Sequence, residues 1–280
     1  MSLINQTCWV VGGVGVVGRG ITRGLLKSGA TVIVNSRNTE RLARLSEELE
    51  HPDRLITVHG SLLPGRASQT IEEALDARPL NHVVAHGAVR YWTTKRAGCD
   101  ETYSLQVGPG GLFQYNAEDF GSVSSQLASL HYSAAQELIP RLQFSDGPSS
   151  YTFVTGDGGG HPSTKRSAIG EINSHHAWGL AAALRGEQLD GDVNCREIRV
   201  ELQVNRSDEE REEAPRDRPL SEDIGDLCAG LAATTMKDDK GALLRVTDQE
   251  RLEELLVEYN AAEDKTLGPM PQVWELAGSL

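Results

Sequence analysis

The chain has 280 residues, enough to bury a hydrophobic core without disulfide or metal staples. Its formal net charge of −13 argues against nucleic acid or an anionic membrane surface as main partner, since both are bound through basic patches. With 39% apolar and 24% charged residues, wholesale disorder is excluded as well.

Short β-branched runs alternate with longer amphipathic stretches along the chain. Cys8–Val11 predicts a first strand, leading through the glycine-rich Val11–Gly20 into a helix over Arg19–Ser28. Strands follow at Thr31–Asn35, Leu55–His59, His82–His86, Tyr151–Thr155, Glu197–Leu202 and Leu243–Val246. The helices between and after them are expected at Glu40–Glu50, Ser68–Ala77, Ala117–Leu142, Ala168–Gln188, Ser221–Met236 and Gln249–Asn260. This order predicts an α/β fold, a Rossmann-like doubly wound parallel sheet of about seven strands with helices on both faces. Residues 1–248 form that domain. Residues 249–280 are expected to add a C-terminal helix, with its apolar face at Leu252, Leu255, Leu256 and Tyr259, and a tail bearing Trp274.

Asn205–Pro219 is almost free of apolar side chains and reads as an exposed charged loop, in the quarter of the chain that carries most of the negative charge. Cys8, Cys99, Cys195 and Cys228 are far apart, with no C-x-x-C pair, and read as reduced, mostly buried thiols. The longest apolar stretch, Cys8–Val17, is broken by glycines, and no cleavable leader pattern precedes it. A cytoplasmic protein without a membrane span is therefore expected.

Val11–Gly20 reads V-G-G-V-G-V-V-G-R-G between a strand and a helix. In that context a glycine turn places backbone N–H groups and a helix N-terminus against a pyrophosphate. Gly12, Gly15 and Gly18 would supply the tight turn, the close backbone approach and the helix packing, with Val17 beside them.

This loop, V-I-V-N-S-R-N at the second strand, A-H-G-A at Ala85–Ala88, A-W-G-L at Ala177–Leu180, and S-E-D-I followed by K-G-A-L-L-R-V together resemble the short-chain dehydrogenase/reductase family, from about Leu3 to about Asp248. The glycine spacing is nearer to the extended and atypical branches, because Val16 stands where the family has its middle glycine. Ala85, His86 and Gly87 stand where the family has the N-N-A-G that lines the cofactor. At the end of the second strand an acidic residue would bind both ribose hydroxyls and repel a 2′-phosphate. Here Ser36, Arg37 and Asn38 occupy that place, and the resemblance implies NADP(H) over NAD(H). Ser61 replaces the Asp that usually holds the adenine.

Family chemistry uses Asn, Ser, Tyr and Lys, the Lys lowering the Tyr pKa so that the phenol exchanges a proton while hydride moves. The corresponding positions fall near Leu127 and on Asp157, Gly170 and Ser174. A literal Y-x-x-x-K occurs at Tyr91–Lys95, outside the fifth-helix context. The candidates for a relocated acid are Asp157 and His161 in T-G-D-G-G-G-H. Glu171 and His175 have metal-pair spacing with no third ligand, so no metal is expected, and His175 and His176 read as solvated or interface residues.

Two functions are thus expected to compete: an oxidoreductase on a small carbonyl or hydroxyl metabolite, and a catalytically silent nucleotide-binding subunit. The resemblance also implies a homodimer or homotetramer through the fourth and fifth helices. Their apolar positions Val123, Leu127, Leu130, Ala134, Leu138, Ala177, Trp178, Ala181 and Leu184 are expected to exceed what one sheet face needs.

Overall fold

A computed structural model describes residues 2–49, 53–76, 78–87, 115–145, 147–156, 168–190, 192–202, 204, 220–234 and 240–259. Asp157, His161, Ala88, Tyr91–Lys95, Cys99, the Asn205–Pro219 segment and the tail beyond Tyr259 lie outside them.

The β-branched runs form seven strands: β1 (Thr7–Val11), β2 (Thr31–Ser36), β3 (Leu55–His59), β4 (His82–His86), β5 (Ser149–Gly156), β6 (Val193–Val200) and β7 (Leu243–Val246). All neighbours pair in parallel, in the order β3-β2-β1-β4-β5-β6-β7. Strand order therefore reverses between β1 and β4, opening a crevice at their carboxyl ends. The amphipathic stretches form α1 (Val16–Lys27), α2 (Thr39–Leu49), α3 (Ala67–Leu75), α4 (Ala117–Leu142), α5 (Ala168–Gly186), α6 (Leu220–Ala233) and α7 (Gln249–Glu258).

Side chains alternate across each strand, so the sheet feeds two cores. Val10, Val32, Val34, Val84, Ile198 and Val246 point to one face and pack with α1, α2, α6 and α7. Trp9, Val11, Ile33, Val83, Tyr151 and Phe153 point to the other and pack with α3, α4 and α5. Helix α7 belongs to the first core through Leu252 and Leu255, with Tyr259 just after it. Among the described residues no helix is long and apolar enough to cross a membrane. Cys8, Cys195 and Cys228 are free and buried, and burial raises all three thiols, Cys195 to about 12.

Two features differ from expectation. Strand β6 starts at Val193 rather than Glu197, because the polar run before Glu197 lies inside the sheet, with Arg196 buried there. Arg196 Nη2 donates to the Leu231 carbonyl at 2.9 Å. Glu197 accepts from Thr155 Oγ1 at 2.7 Å and pairs with Arg199 at 2.8 Å and Arg185 at 3.3 Å. The second difference concerns α4 and α5, where much of the apolar stripe is buried within the chain. Leu130, Ala134, Leu138 and Ala181 are buried in the second core, and Val123 and Leu127 pack on Ile169. The outward side carries Tyr132, Gln136, Gly179, Ala182 and Ala183 instead.

Candidate dinucleotide site

The glycine turn is built by conformations that need glycine. Gly12 has φ +76°, in the left-handed region, and its carbonyl accepts the Gly15 N–H at 3.1 Å. Gly15 caps α1 without a side-chain hydrogen bond, so the first N–H groups of the helix, at Val16 and Val17, have no intrahelical acceptor. They lead the positive end of the α1 dipole, at the crevice between β1 and β4. A β-carbon on Gly18 would stand 2.1 Å from the Gly12 oxygen, which fixes the glycine there. Val16 is accommodated because the chain is already helical at that residue.

The ends of β1, β2 and β3 are tied together. Asn35 accepts from Trp9 Nε1 at 3.1 Å and donates to the Gly60 carbonyl at 3.4 Å, and the Gly60 N–H donates to the Ser36 carbonyl at 3.0 Å. Ser36 Oγ accepts the Asn38 N–H at 3.1 Å, and Asn38 Oδ1 accepts the Arg41 N–H at 2.9 Å in the manner of a helix cap. Of the three residues read as a phosphate pocket, Asn38 thus opens α2, while Arg37 is exposed between them. His59, which sequence reasoning passed over, donates from Nε2 to the Arg37 carbonyl at 3.2 Å. Ser61 is engaged locally: its N–H donates to Thr70 Oγ1 at 3.0 Å and its hydroxyl accepts the Leu63 N–H at 3.2 Å.

At the end of β4, Ala85 is buried and His86 Nδ1 donates to the Val154 carbonyl at 3.1 Å, bridging β4 to β5. Gly87 has φ +52°, again left-handed, and its carbonyl accepts from His131 Nε2 of α4 at 3.0 Å. Burial pushes the His131 imidazole down to about 4, against the Gly87 contact, so the ring is neutral and carries its proton on Nε2. Its ring meets Phe153 edge-on, with centroids 6.1 Å apart. Nothing in the sequence marked His131, because a lone polar residue on a helix reads as solvent-facing.

Residues 9–76, from β1 into the end of α3, match the family described as NADP oxidoreductase coenzyme F420-dependent. No curated protein matches the chain. Among solved structures, a dehydrogenase/reductase from Sinorhizobium meliloti 1021 superposes with TM-score 0.66 at 18% identity, over 88% of this chain and 94% of that one. A short-chain type dehydrogenase/reductase from Mycobacterium ulcerans gives 0.65 at 18% identity, over 90% and 92%. The RhlG/NADP active-site complex of Pseudomonas aeruginosa gives 0.62 at 18%, over 88% and 96%. The fold is that of the short-chain dehydrogenases/reductases.

On this short-chain dehydrogenase/reductase fold, the α5 positions that the sequence resemblance sets against Tyr and Lys are Gly170 and Ser174. Gly170 has no side chain, and the Ser174 hydroxyl donates to the Gly170 carbonyl at 3.1 Å within its own helix. His175 Nδ1 donates to the Glu171 carbonyl at 2.9 Å and lies 3.7 Å from its carboxylate, a surface pair within α5. His176 Nδ1 donates to the Ser124 carbonyl of α4 at 2.9 Å. Among the described residues no group of three or more His, Cys, Asp or Glu is placed to hold a metal ion.

Proposed function

We propose that this chain binds NADP(H), in preference to NAD(H), and acts as an oxidoreductase on a small carbonyl or hydroxyl metabolite. The observation that carries the proposal is the glycine turn with its uncapped helix start at the switch point, next to a β2 end that presents Ser36 and Arg37 in place of an acid. The turn would take the pyrophosphate. Arg37 would face the 2′-phosphate with a permanently charged planar fork, and the peptide run Ala85–Gly87 would line the cofactor where β4 ends. Asp157 or His161 would serve as the proton donor after β5. Orientation of hydride donor and acceptor is a large part of such catalysis and does not depend on the Asn-Ser-Tyr-Lys set.

A second reading, a catalytically silent nucleotide-binding subunit, is favoured by Gly170 and Ser174, since loss of a positioned general acid removes about 10²–10⁴-fold in rate. NADPH oxidation against a broad carbonyl panel separates the two, using wild type, Asp157→Asn and His161→Ala. Turnover abolished by either change supports the relocated acid. Tight NADPH binding without turnover on any carbonyl leaves the silent subunit.

We propose further that two copies associate through the outward side of α4 and α5. Tyr132 is 55% exposed there, beside a groove of about 560 Å³ lined by Pro64, Gly65, Gln136 and Leu180 among others. A monomer by light scattering at micromolar concentration would refute this association.

A further inference from the structure

Asn173 of α5 is fully buried, and its side-chain amide is inserted into the backbone of α4. Its Oδ1 accepts the Leu127 N–H at 3.0 Å. Its Nδ2 donates to the Val123 carbonyl at 2.8 Å and to the Ile169 carbonyl, one turn back in its own helix, at 3.0 Å. An N–H can only donate and a carbonyl only accept, so these partners fix which way the amide points. Val123 and Leu127 are the acceptor and donor of a single i→i+4 helical step, and the amide stands between them. The next carbonyl, of Ser124, is taken by His176. Two successive carbonyls of α4 are therefore turned toward α5, the arrangement in which a side chain enters the helix ladder.

The part of α4 ahead of this insertion is set apart from the sheet. Phe120, Val123 and Leu127, with Tyr115 before the helix, pack on Ile169 as a small cluster distinct from the two main cores. Helices α4 and α5 follow β4 and β5, and so begin at the same carboxyl edge of the sheet as the glycine turn. Arg37 lies on the β2 side of the switch point, which assigns the adenosine half of a dinucleotide to that side and the nicotinamide half to the β4–β5 side.

We propose that Asn173 is a positioning residue. By bridging Val123 and Leu127 it locks the opening turns of α4 to α5, and so fixes the wall of the crevice at the nicotinamide end, where the substrate meets the hydride. This role rests on the dinucleotide reading above. Neither Leu, which is apolar, nor Ser, which is too short to reach both backbone groups, reproduces the three contacts.

Hydrogen–deuterium exchange on wild type, Asn173→Leu and Asn173→Ser, with titrations of NADPH and of 2′,5′-ADP, tests the assignment. The Leu127 amide is expected to exchange about tenfold faster in both variants, with Phe153 in β5 unchanged. NADPH affinity is expected to fall about tenfold while that of 2′,5′-ADP, which lacks the nicotinamide half, stays within about twofold. Unchanged exchange at Leu127, or NADPH and 2′,5′-ADP affinities that fall together, would overturn the proposal. Asn173→Ser makes the smaller change and is the variant read if Asn173→Leu does not fold. Wild-type protein that binds neither probe overturns the dinucleotide reading itself, whereas binding by wild type with matched loss in the variants overturns this assignment alone.

Discussion

Gly18 lies so close to Gly12 that a β-carbon on it would stand 2.1 Å from the Gly12 carbonyl oxygen and 2.7 Å from the Gly13 α-carbon. Both neighbours are backbone, in a turn already held by the left-handed Gly12 and by the Gly15 N–H, so neither gives way cheaply. Gly18→Ala is expected to destabilise the fold by about 1–3 kcal/mol in urea unfolding. NADPH affinity by calorimetry is expected to fall about tenfold or more with it, because the amides proposed to take the pyrophosphate would be displaced.

Helices α1 and α6 meet backbone to backbone. A β-carbon on Gly225 would come 1.9 Å from the Gly20 oxygen, one on Gly20 1.9 Å from the Ser221 oxygen, and one on Gly24 2.4 Å from the Gly225 backbone. Arg23–Glu222 at 2.7 Å and Lys27–Asp226 at 3.7 Å flank the crossing. Gly225→Ala is expected to cost about 1–3 kcal/mol and lower Tm. Gly179→Ala, at a helical position where a β-carbon meets nothing of this chain, should raise the stability of the single chain by about 0.5–1 kcal/mol. Paired thermal melts check the contrast.

Glu197 lies between two guanidiniums, Arg185 and Arg199, and Arg199 in turn lies 4.7 Å over the Trp178 ring. Removing the carboxylate leaves two largely buried like charges beside each other. Glu197→Leu is expected to destabilise by about 3–5 kcal/mol in chemical denaturation.

His82 and His131 are both buried, and burial lowers them from an ordinary 6.5 to about 3 and about 4. A histidine whose folded value is depressed contributes fully above its unfolded value, and that contribution is lost as pH falls toward the folded one, because the unfolded chain takes the proton first. Stability is therefore expected to decline from about pH 6.5 to about pH 4, by about 1.4 kcal/mol per pH unit for each histidine. Urea unfolding at stepped pH checks the slope, and His131→Gln should reduce it by about half.

The glycine turn was legible because geometry there dictates residue identity: a left-handed φ at Gly12 and a backbone contact at Gly18 admit no side chain. Strand alternation was legible for the same kind of local reason. The first half of β6 was not, since N-C-R-E reads as polar until Arg196 finds the Leu231 carbonyl, 35 residues on, and Glu197 finds Arg185 and Arg199. His131 and Asn173 stayed hidden likewise, their partners lying 44 and 46 residues away. The apolar stripes of α4 and α5 were visible, but periodicity does not tell a stripe that covers its own sheet from one that covers a neighbour. Leu130, Ala134, Leu138 and Ala181 cover the sheet.

Calorimetric titration of wild type and Arg37→Ala with NADPH and NADH tests the cofactor assignment most directly. The site built from the glycine turn and the β2 end predicts that wild type binds NADPH about tenfold or more tightly than NADH, and that Arg37→Ala loses that preference with NADH affinity unchanged. Equal affinity for the two nucleotides in wild type, or an Arg37→Ala chain that binds NADPH as wild type does, would contradict it.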